Sequence, residues 1–497
     1  MAATLAALSA AAAAFFYLRG NLLYYGDALA HLSIARRILD SRTPGIEQIG
    51  TVWLPLPHLL FLPFARYDWL WRTGLAGTIP SAICFVAGGL FIFLAVRRVF
   101  SSNPAGAAAC LAIALNPNLL YLQSIAMTEA IFFAALAALL YFGVRFRETQ
   151  SFWFIVPAGV AALAGSLTRY EGWFLMPFAA LYFLLAAKRR RIWAAVLFSA
   201  IAGLGPLAWL AHNWWYLGAP LDFYNGPYSA KALYESQVAK GMARAPGDGD
   251  WPTAWLYFRT AVRLCAGWPL VWMAAAGALA ALIKRAFWPL LLLALPPVFY
   301  IWAMHSSGNP IYVPQLWPHT YYNTRYAIAA LPLLGFAAGA LVSLAPARLR
   351  RLAALLVVIA AVAPWVAYPR PGNWACWNES NLNSAARREA ERQAADFLRA
   401  AYRPGDGILT SLLYVSNIYP AAGIPLRETL HEGNGVKWIA SISRPDLFLS
   451  EKWAVSASGD EVARAMGRLK TTGPQYDCVK LIAIKGAPVI QIFRRTQ

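Results

Sequence analysis

What most constrains this chain is a succession of apolar segments, near 2–18, 74–95, 104–121, 129–144, 151–167, 173–187, 192–211, 268–283, 287–304, 326–346 and 352–368. Each is long enough, or nearly so, to cross a bilayer as a helix. Lipid permits little else, because the backbone N–H and C=O groups of such a segment must be satisfied within it. The expected architecture is an α-helical polytopic membrane protein of about eleven spans. Composition agrees: 59% of the 497 residues are hydrophobic and 13% are charged, against about 25% charged in soluble domains. The first segment lacks a basic leading region and is followed by many further spans, so it reads as a retained first helix and not as a signal peptide.

The loops between these segments alternate in charge. Every second one is short and basic: Arg97 and Arg98, Arg145 and Arg147, Lys188 to Arg191, Lys284 and Arg285, then Arg348, Arg350 and Arg351. Those thirteen cations share their side with one acid, Glu148, which makes it the cytoplasmic side. The net charge of +20 then needs no nucleic-acid partner. Inner basic loops match anionic headgroups of membrane lipids, and the outward excess suits an anionic lipid phosphate. No CxxC, HExxH, P-loop or GxGxxG motif occurs, which leaves nucleotide-dependent chemistry on the inner face unsupported.

Beyond residue 368 the composition changes, and 369–497 reads as a small extracytoplasmic α/β domain appended to a membrane domain, 1–368. SAARREAERQAADFLRAAY has a helical pattern that Pro404-Gly405 stops. Gly407 to Val415 reads as a strand and loop, Glu461 to Leu469 as a helix, and CVKLIAIKGAPVIQIF as two strands joined at Lys485 to Pro488.

The polar chemistry collects in the outward loops, 19–73, 123–129, 168–172, 212–267 and 305–325. Three acids stand at helix mouths there: Asp27, Glu129 and Glu171. Ionisable groups at membrane depth are costly and usually mark a site or a pathway. Asp27 and His31 share a face if their segment is helical. Glu129 follows Thr128 at a helix start, so an acid favoured by the helix dipole and a functional acid are both open readings. Arg169 and Glu171 suit either an ion pair that fixes a turn or direct substrate contact. His31, Glu47, His58 and His212 are conceivable metal or phosphate ligands, but no close metal spacing links them. Trp214, Trp215, Tyr216, Phe223, Tyr224 and Tyr228 could stack on sugar rings or form an interfacial belt. Cys84, Cys110 and Cys265 read as small apolar residues. Cys376 and Cys478 share the outward domain, where a disulfide between them is chemically allowed.

Five short stretches, YYGDALAH, SIAMTEAIFF, TRYEGWFLMP, LGAPLDFY and NTRYAIAALP, together resemble the GT-C superfamily of integral-membrane glycosyltransferases, of the protein O-mannosyltransferase and lipid A aminoarabinose transferase type. The resemblance implies an inverting enzyme of the bacterial inner membrane that moves a monosaccharide from a polyprenyl-phosphate donor to an acceptor hydroxyl on the periplasmic side. The acceptor class, protein, lipid or glycan, stays open. In that reading Asp27 matches the family's first-loop acid and is the general base, with Glu129 a second catalytic acid. Arg325, with Arg169 and His31, binds the donor phosphate, and Glu47, His58, Glu171 and Tyr224 are substrate-binding residues. No cofactor is required, and a divalent metal is possible. Two departures stand out. Asp27 is followed by Ala28 where many relatives carry a second acid, a role vacant or moved to Glu47. The WWDYG signature of oligosaccharyltransferases is absent, since Trp214-Trp215-Tyr216 lacks its Asp. The competing classes are a lipid-linked sugar flippase, which predicts charges within the spans and internal repeats, and an O-antigen ligase or polymerase using a diphosphate-linked donor. The latter would employ His305, His319 and Arg325 but leaves Asp27 unexplained.

Overall fold

Each of the eleven apolar segments holds helix in the structure, the last of them as far as Ala367; it is a computed structural model that describes residues 1–307, 309–367, 369, 373–469 and 473–496. Among these residues six helices are long and apolar enough to cross a membrane: Leu75–Val99, Glu129–Thr149, Arg191–Leu217, Trp288–Ser306, Thr324–Ser343 and Ala347–Ala367. Two bent pairs raise the number to as many as eight, Asn103–Ala114 with Pro117–Gln123 at 70° and Trp251–Ala266 with Trp268–Ile283 at 108°. Ala2–Leu18, Phe152–Ser166 and Glu171–Ala186 are apolar but at most 17 residues long, so length separates this number from the expected eleven. The first bend has a local cause. Asn116 caps a new helix by accepting from the N–H groups of Asn118 and Leu119, and Pro117 can begin that helix but not continue the previous one. The second bend falls on Gly267, whose φ of +80° ends one helix and caps the next.

The chain divides into two compact units. One comprises residues 1–19, 51–57 and 78–379, the other 20–50, 58–77 and 380–497. In the first, small residues let helix backbones meet. A Cβ on Gly277 would lie 1.8 Å from the Ala337 carbonyl oxygen, an approach typical of helix packing without a hydrophobic driving force. The short 51–57 stretch is tied to the Thr168–Gly172 turn: Leu56 N–H donates to the Leu167 carbonyl at 3.0 Å, and the Tyr170 hydroxyl donates to the Val52 carbonyl at 2.7 Å.

The second unit contains a five-stranded mixed sheet. Its strands are β1 (Ile408–Thr410), β2 (Thr429–Leu430), β3 (Trp453–Ala457), β4 (Tyr476–Ile482) and β5 (Ile490–Arg495), in the order β2-β1-β3-β5-β4. β1 runs parallel to β2 and β3, whereas β5 is antiparallel to β3 and β4. Leu409, Leu430, Ala454 and Val462 form its core with Trp438 and Leu449. The predicted terminal hairpin is β4–β5, and the predicted helices are Ala375–Ala401 and Glu461–Met466. After β1, Leu412–Val415 is a single helical turn where a loop is expected.

The segments 20–50 and 58–77 join this sheet domain through buried polar contacts. The Arg36 guanidinium bonds Asp40 at 2.9 Å, Asp68 at 2.5 Å, and the carbonyls of Ala65 and Arg66. Asp40 in turn accepts from the backbone N–H of Leu426 and from Arg427. Gln48 donates to the Gly433 carbonyl, and Asn434 donates to Ser41 and Thr43. The Arg36–Asp40 pair is almost completely buried, so removing one partner costs about 3–5 kcal/mol. Exposed pairs such as Arg392–Glu389 contribute little.

Candidate active site

In the first unit five charged side chains, Glu129, Arg169, Glu171, Arg325 and Glu379, form one buried cluster. Glu129 opens the Glu129–Thr149 helix, and Glu171 opens Glu171–Ala186. The latter turn is compact because residue 172 is Gly: a Cβ there would lie 2.6 Å from the Gly165 carbonyl group. Between them, Arg169 donates through Nε to Glu171 Oε1 at 2.5 Å and through Nη1 to Glu129 Oε1 at 3.0 Å. It also donates to the hydroxyls of Thr128 and Tyr300, and the Tyr300 hydroxyl donates to Glu171 Oε1 at 2.6 Å.

Arg325 lies on the other side of Glu129, its Nε 3.3 Å from Glu129 Oε1 and its Nη1 3.9 Å from Glu379 Oε1. Both guanidinium groups stand over the Tyr326 ring, which stacks on Tyr300 with centroids 4.6 Å apart. Glu379 fixes the backbone beside Arg325. It accepts from the N–H of Asn323 at 3.0 Å, from the N–H of Thr324 at 2.8 Å and from the Thr324 hydroxyl. Burial pushes the Glu379 carboxyl above its ordinary pKa, with Arg325 and the Thr324 bonds pulling the other way.

The cluster forms the polar end of a cavity. Glu129, Arg169, Glu171, Tyr300 and Arg325 line that end, while Leu119, Phe132, Phe133, Leu136, Leu331 and Pro332 line the rest. Glu129 Oε2 is buried and has no hydrogen-bond partner among the described residues. Such an oxygen costs free energy unless something else satisfies it. The cavity is small, about 30 Å³, so it sets charged groups beside an apolar wall with room for about one water-sized group.

Glu129, Arg169, Glu171 and Arg325 are thus brought together. Tyr224 is 53% exposed, with the Lys231 ammonium 5.1 Å from its ring centre, and Trp214 and Trp215 are exposed. Phe223 stacks on Tyr170. His212 stacks on Trp209 and His305 on Trp251, while His319 lies close to the Pro314 carbonyl. Cys376 is buried and Cys478 exposed, and no disulfide joins the two in the structure.

The remaining predicted residues lie in the second unit. Asp27 is half-buried in the first turn of the Gly26–Arg37 helix, where the dipole favours a carboxylate. Arg387 bonds the Tyr24 carbonyl at 2.9 Å and the Arg388 guanidinium lies 3.6 Å from the Tyr24 ring centre, which fixes the chain entering this helix. His31 Nδ1 is 2.8 Å from His58 Nε2. Burial, then His31 and Arg37, hold the His58 imidazole well below its ordinary pKa. Glu47 sits half-buried in the Ile46–Ile49 turn. Among the described residues no three His, Cys, Asp or Glu side chains converge on a position suited to a metal ion.

Sequence reasoning missed Tyr300, Tyr326 and Glu379. Tyr326 adjoins Arg325 in a stretch already singled out, and Tyr300 is a hydroxyl within an apolar run. Glu379 carries no local signal, since its importance depends on a fold that returns the chain to Thr324.

The profile of the dolichyl-phosphate-mannose-protein mannosyltransferase family matches residues 71–216, which hold Glu129, Arg169 and Glu171. A search among curated protein sequences found no match. Solved structures are similar over nearly the whole chain. ArnT from Cupriavidus metallidurans bound to undecaprenyl phosphate superposes with a TM-score of 0.56 at 14% identity, covering 97% of both chains. Its apo state gives 0.54 at 13% identity, covering 94% of this chain and 93% of that one. The chain has the fold of a GT-C glycosyltransferase. The apo oligosaccharyltransferase of Archaeoglobus fulgidus shares this GT-C fold, with a TM-score of 0.52 at 13% identity over 92% of this chain and 69% of its own. The GT-C fold accounts for a multi-pass helical protein with a small C-terminal sheet.

Proposed function

We propose that this GT-C protein transfers a monosaccharide from a polyprenyl-phosphate donor to an acceptor hydroxyl, with inversion, at the outer face of a bacterial inner membrane. The observation that carries the reading is the cavity that joins Arg325 and Glu129 to a wall of Phe132, Phe133 and Leu136. Arginine binds phosphate oxygens in pairs and stays charged, and the apolar wall suits an isoprenoid. A neighbour of the same fold holds undecaprenyl phosphate.

Arg325 then stabilises the charge that grows on the leaving phosphate. As donor phosphate takes up the Arg325 guanidinium, Glu129 loses its contact at 3.3 Å and becomes a stronger acceptor for a substrate hydroxyl. Arg169 has a different part: its bonds to Glu129, Glu171, Thr128 and Tyr300 hold the acids in place. Asp27 is assigned the general base by its match to the family's first-loop acid. Its role is to accept the acceptor proton while the anomeric carbon changes partners.

The test is turnover by the purified protein in lipid, offered a panel of polyprenyl-phosphate monosaccharides, beside a folded Asp27→Asn variant. Release of polyprenyl phosphate that depends on Asp27 is expected. Undiminished turnover by Asp27→Asn would remove it as the base, and no turnover on any such donor by folded wild-type protein would favour the diphosphate-linked class.

A further inference from the structure

The cysteine that enters the Ala375–Ala401 helix has a second cysteine as neighbour, Cys265. Asn118 holds both segments at once. Its Nδ2 donates to the Cys265 carbonyl at 3.0 Å, and its Oδ1 accepts from the Cys376 N–H at 2.9 Å. Asn116 donates to the same Cys265 carbonyl at 2.8 Å. One side-chain amide thus holds the two backbones beside each other, and a disulfide between them calls for Cα atoms about 4.4–6.8 Å apart. Both cysteines are completely buried, and the Cys265 side chain is a neighbour of the Cys376 thiol. Cys265 also lies 3.4 Å from the Thr324 carbonyl, one residue before Arg325, and Glu379 stands one helical turn beyond Cys376.

We propose that Cys265 and Cys376 are joined by a disulfide in the protein as it is made in the cell, and that this bond fastens the Glu379 helix behind Arg325. The proposal rests on the outward placement of these helix ends in the reading above, because an oxidising compartment is where such bonds persist. In the reaction both S–H bonds break and one S–S bond forms. Two electrons pass to the disulfide of an extracytoplasmic thiol oxidoreductase, which takes up two protons and leaves as a dithiol. The exchange happens before the helices close, since burial pushes the Cys376 thiol well above its ordinary pKa and leaves it inert in the folded protein. The bond replaces a thiol contact with a covalent tie across a long loop, so Glu379 and the Asn323–Arg325 backbone it holds lose freedom together.

Counting thiols decides the matter. Protein extracted from membranes is denatured with an alkylating reagent and no reductant, then digested and mapped. Three of the five cysteines, Cys84, Cys110 and Cys478, are expected to be alkylated, with all five alkylated after reduction and a peptide pair linked through Cys265 and Cys376. In a Cys265→Ser variant Cys376 becomes alkylated without reductant. Where that variant does not fold, the wild-type count and the linked peptides still give the answer. Alkylation of all five without reductant, or a Cys376–Cys478 linkage, overturns the proposal. A membrane-impermeant maleimide applied to spheroplasts separates the two ways of failing, since Cys478 is exposed. Labelled Cys478 with free Cys265 and Cys376 refutes the disulfide alone. Unlabelled Cys478 with free thiols refutes the outward placement and the disulfide with it.

Discussion

At Arg169 every nitrogen of the guanidinium bonds a neighbour: Glu171, Glu129 with Thr128, and Tyr300. Arg325 approaches its carboxylates at 3.3 and 3.9 Å and faces the same cavity. Two arginines of one cluster therefore predict two phenotypes. Arg325→Ala is expected to keep the fold and weaken donor binding by about 1.5–3 kcal/mol, the worth of a hydrogen bond to a charged group. Binding of a polyprenyl phosphate to purified protein measures this, and unchanged affinity would withdraw Arg325 from the phosphate site. Arg169→Ala leaves Glu171 buried with uncompensated charge and Glu129 with Arg325 alone, so a loss of stability of about 3–5 kcal/mol precedes any effect on binding. Thermal unfolding in detergent distinguishes the two variants. Arg169 and Glu171 suit a turn-fixing ion pair on sequence, and the structure shows that pair extended by Tyr300 and Thr128. Nothing near residue 379 hints that its carboxylate fixes the backbone beside Arg325.

Elements of the second unit carry two imidazoles held neutral. His431 accepts from the Gly433 N–H at 3.1 Å and lies beside Ser41, with burial and then Arg37 and Arg42 depressing its pKa well below 6.5. His58, in the Leu56–Ala65 helix, is depressed in the same direction. Unfolding lets both groups take up protons that the fold denies them. Stability is therefore full above their unfolded pKa of 6.5 and falls as pH drops from there through the folded values. Glu432 and Asp460, raised by burial, oppose this loss as pH falls, while Glu451, lowered on balance by Arg42, adds to it. Melting at about pH 7.5 and about pH 5.5, on either side of the ordinary histidine value, is expected to show a drop that His431→Gln reduces. An identical drop in the variant would assign the effect elsewhere. Legibility in sequence follows the same physics of elements. Apolar runs near bilayer length and the alternating pattern of the β4–β5 hairpin announce themselves. The central strand Trp453–Ala457 does not, because all five residues are buried and no alternation marks it.

On the scale of the whole molecule, the sheet domain is not a contiguous stretch of chain. Residues 20–50 and 58–77 belong to it, 300 positions and more before the strands they join. Asp40, Gln48 and Ser41 satisfy buried partners on residues 426–434. A fragment spanning 380–497 is accordingly expected not to fold alone, and circular dichroism with a cooperative melt would contradict this. Separating the β3 and β5 pairing from its supports leaves Leu426 N–H and the Gly433 carbonyl short of partners. Such a layout also has a bearing on how the protein is born. The ribosome delivers the helix carrying Asp27 at the outset and its partners at the very end, so that helix waits through the synthesis of every intervening span before it can settle. A nascent chain released early would carry its apolar helices yet lack a finished first loop.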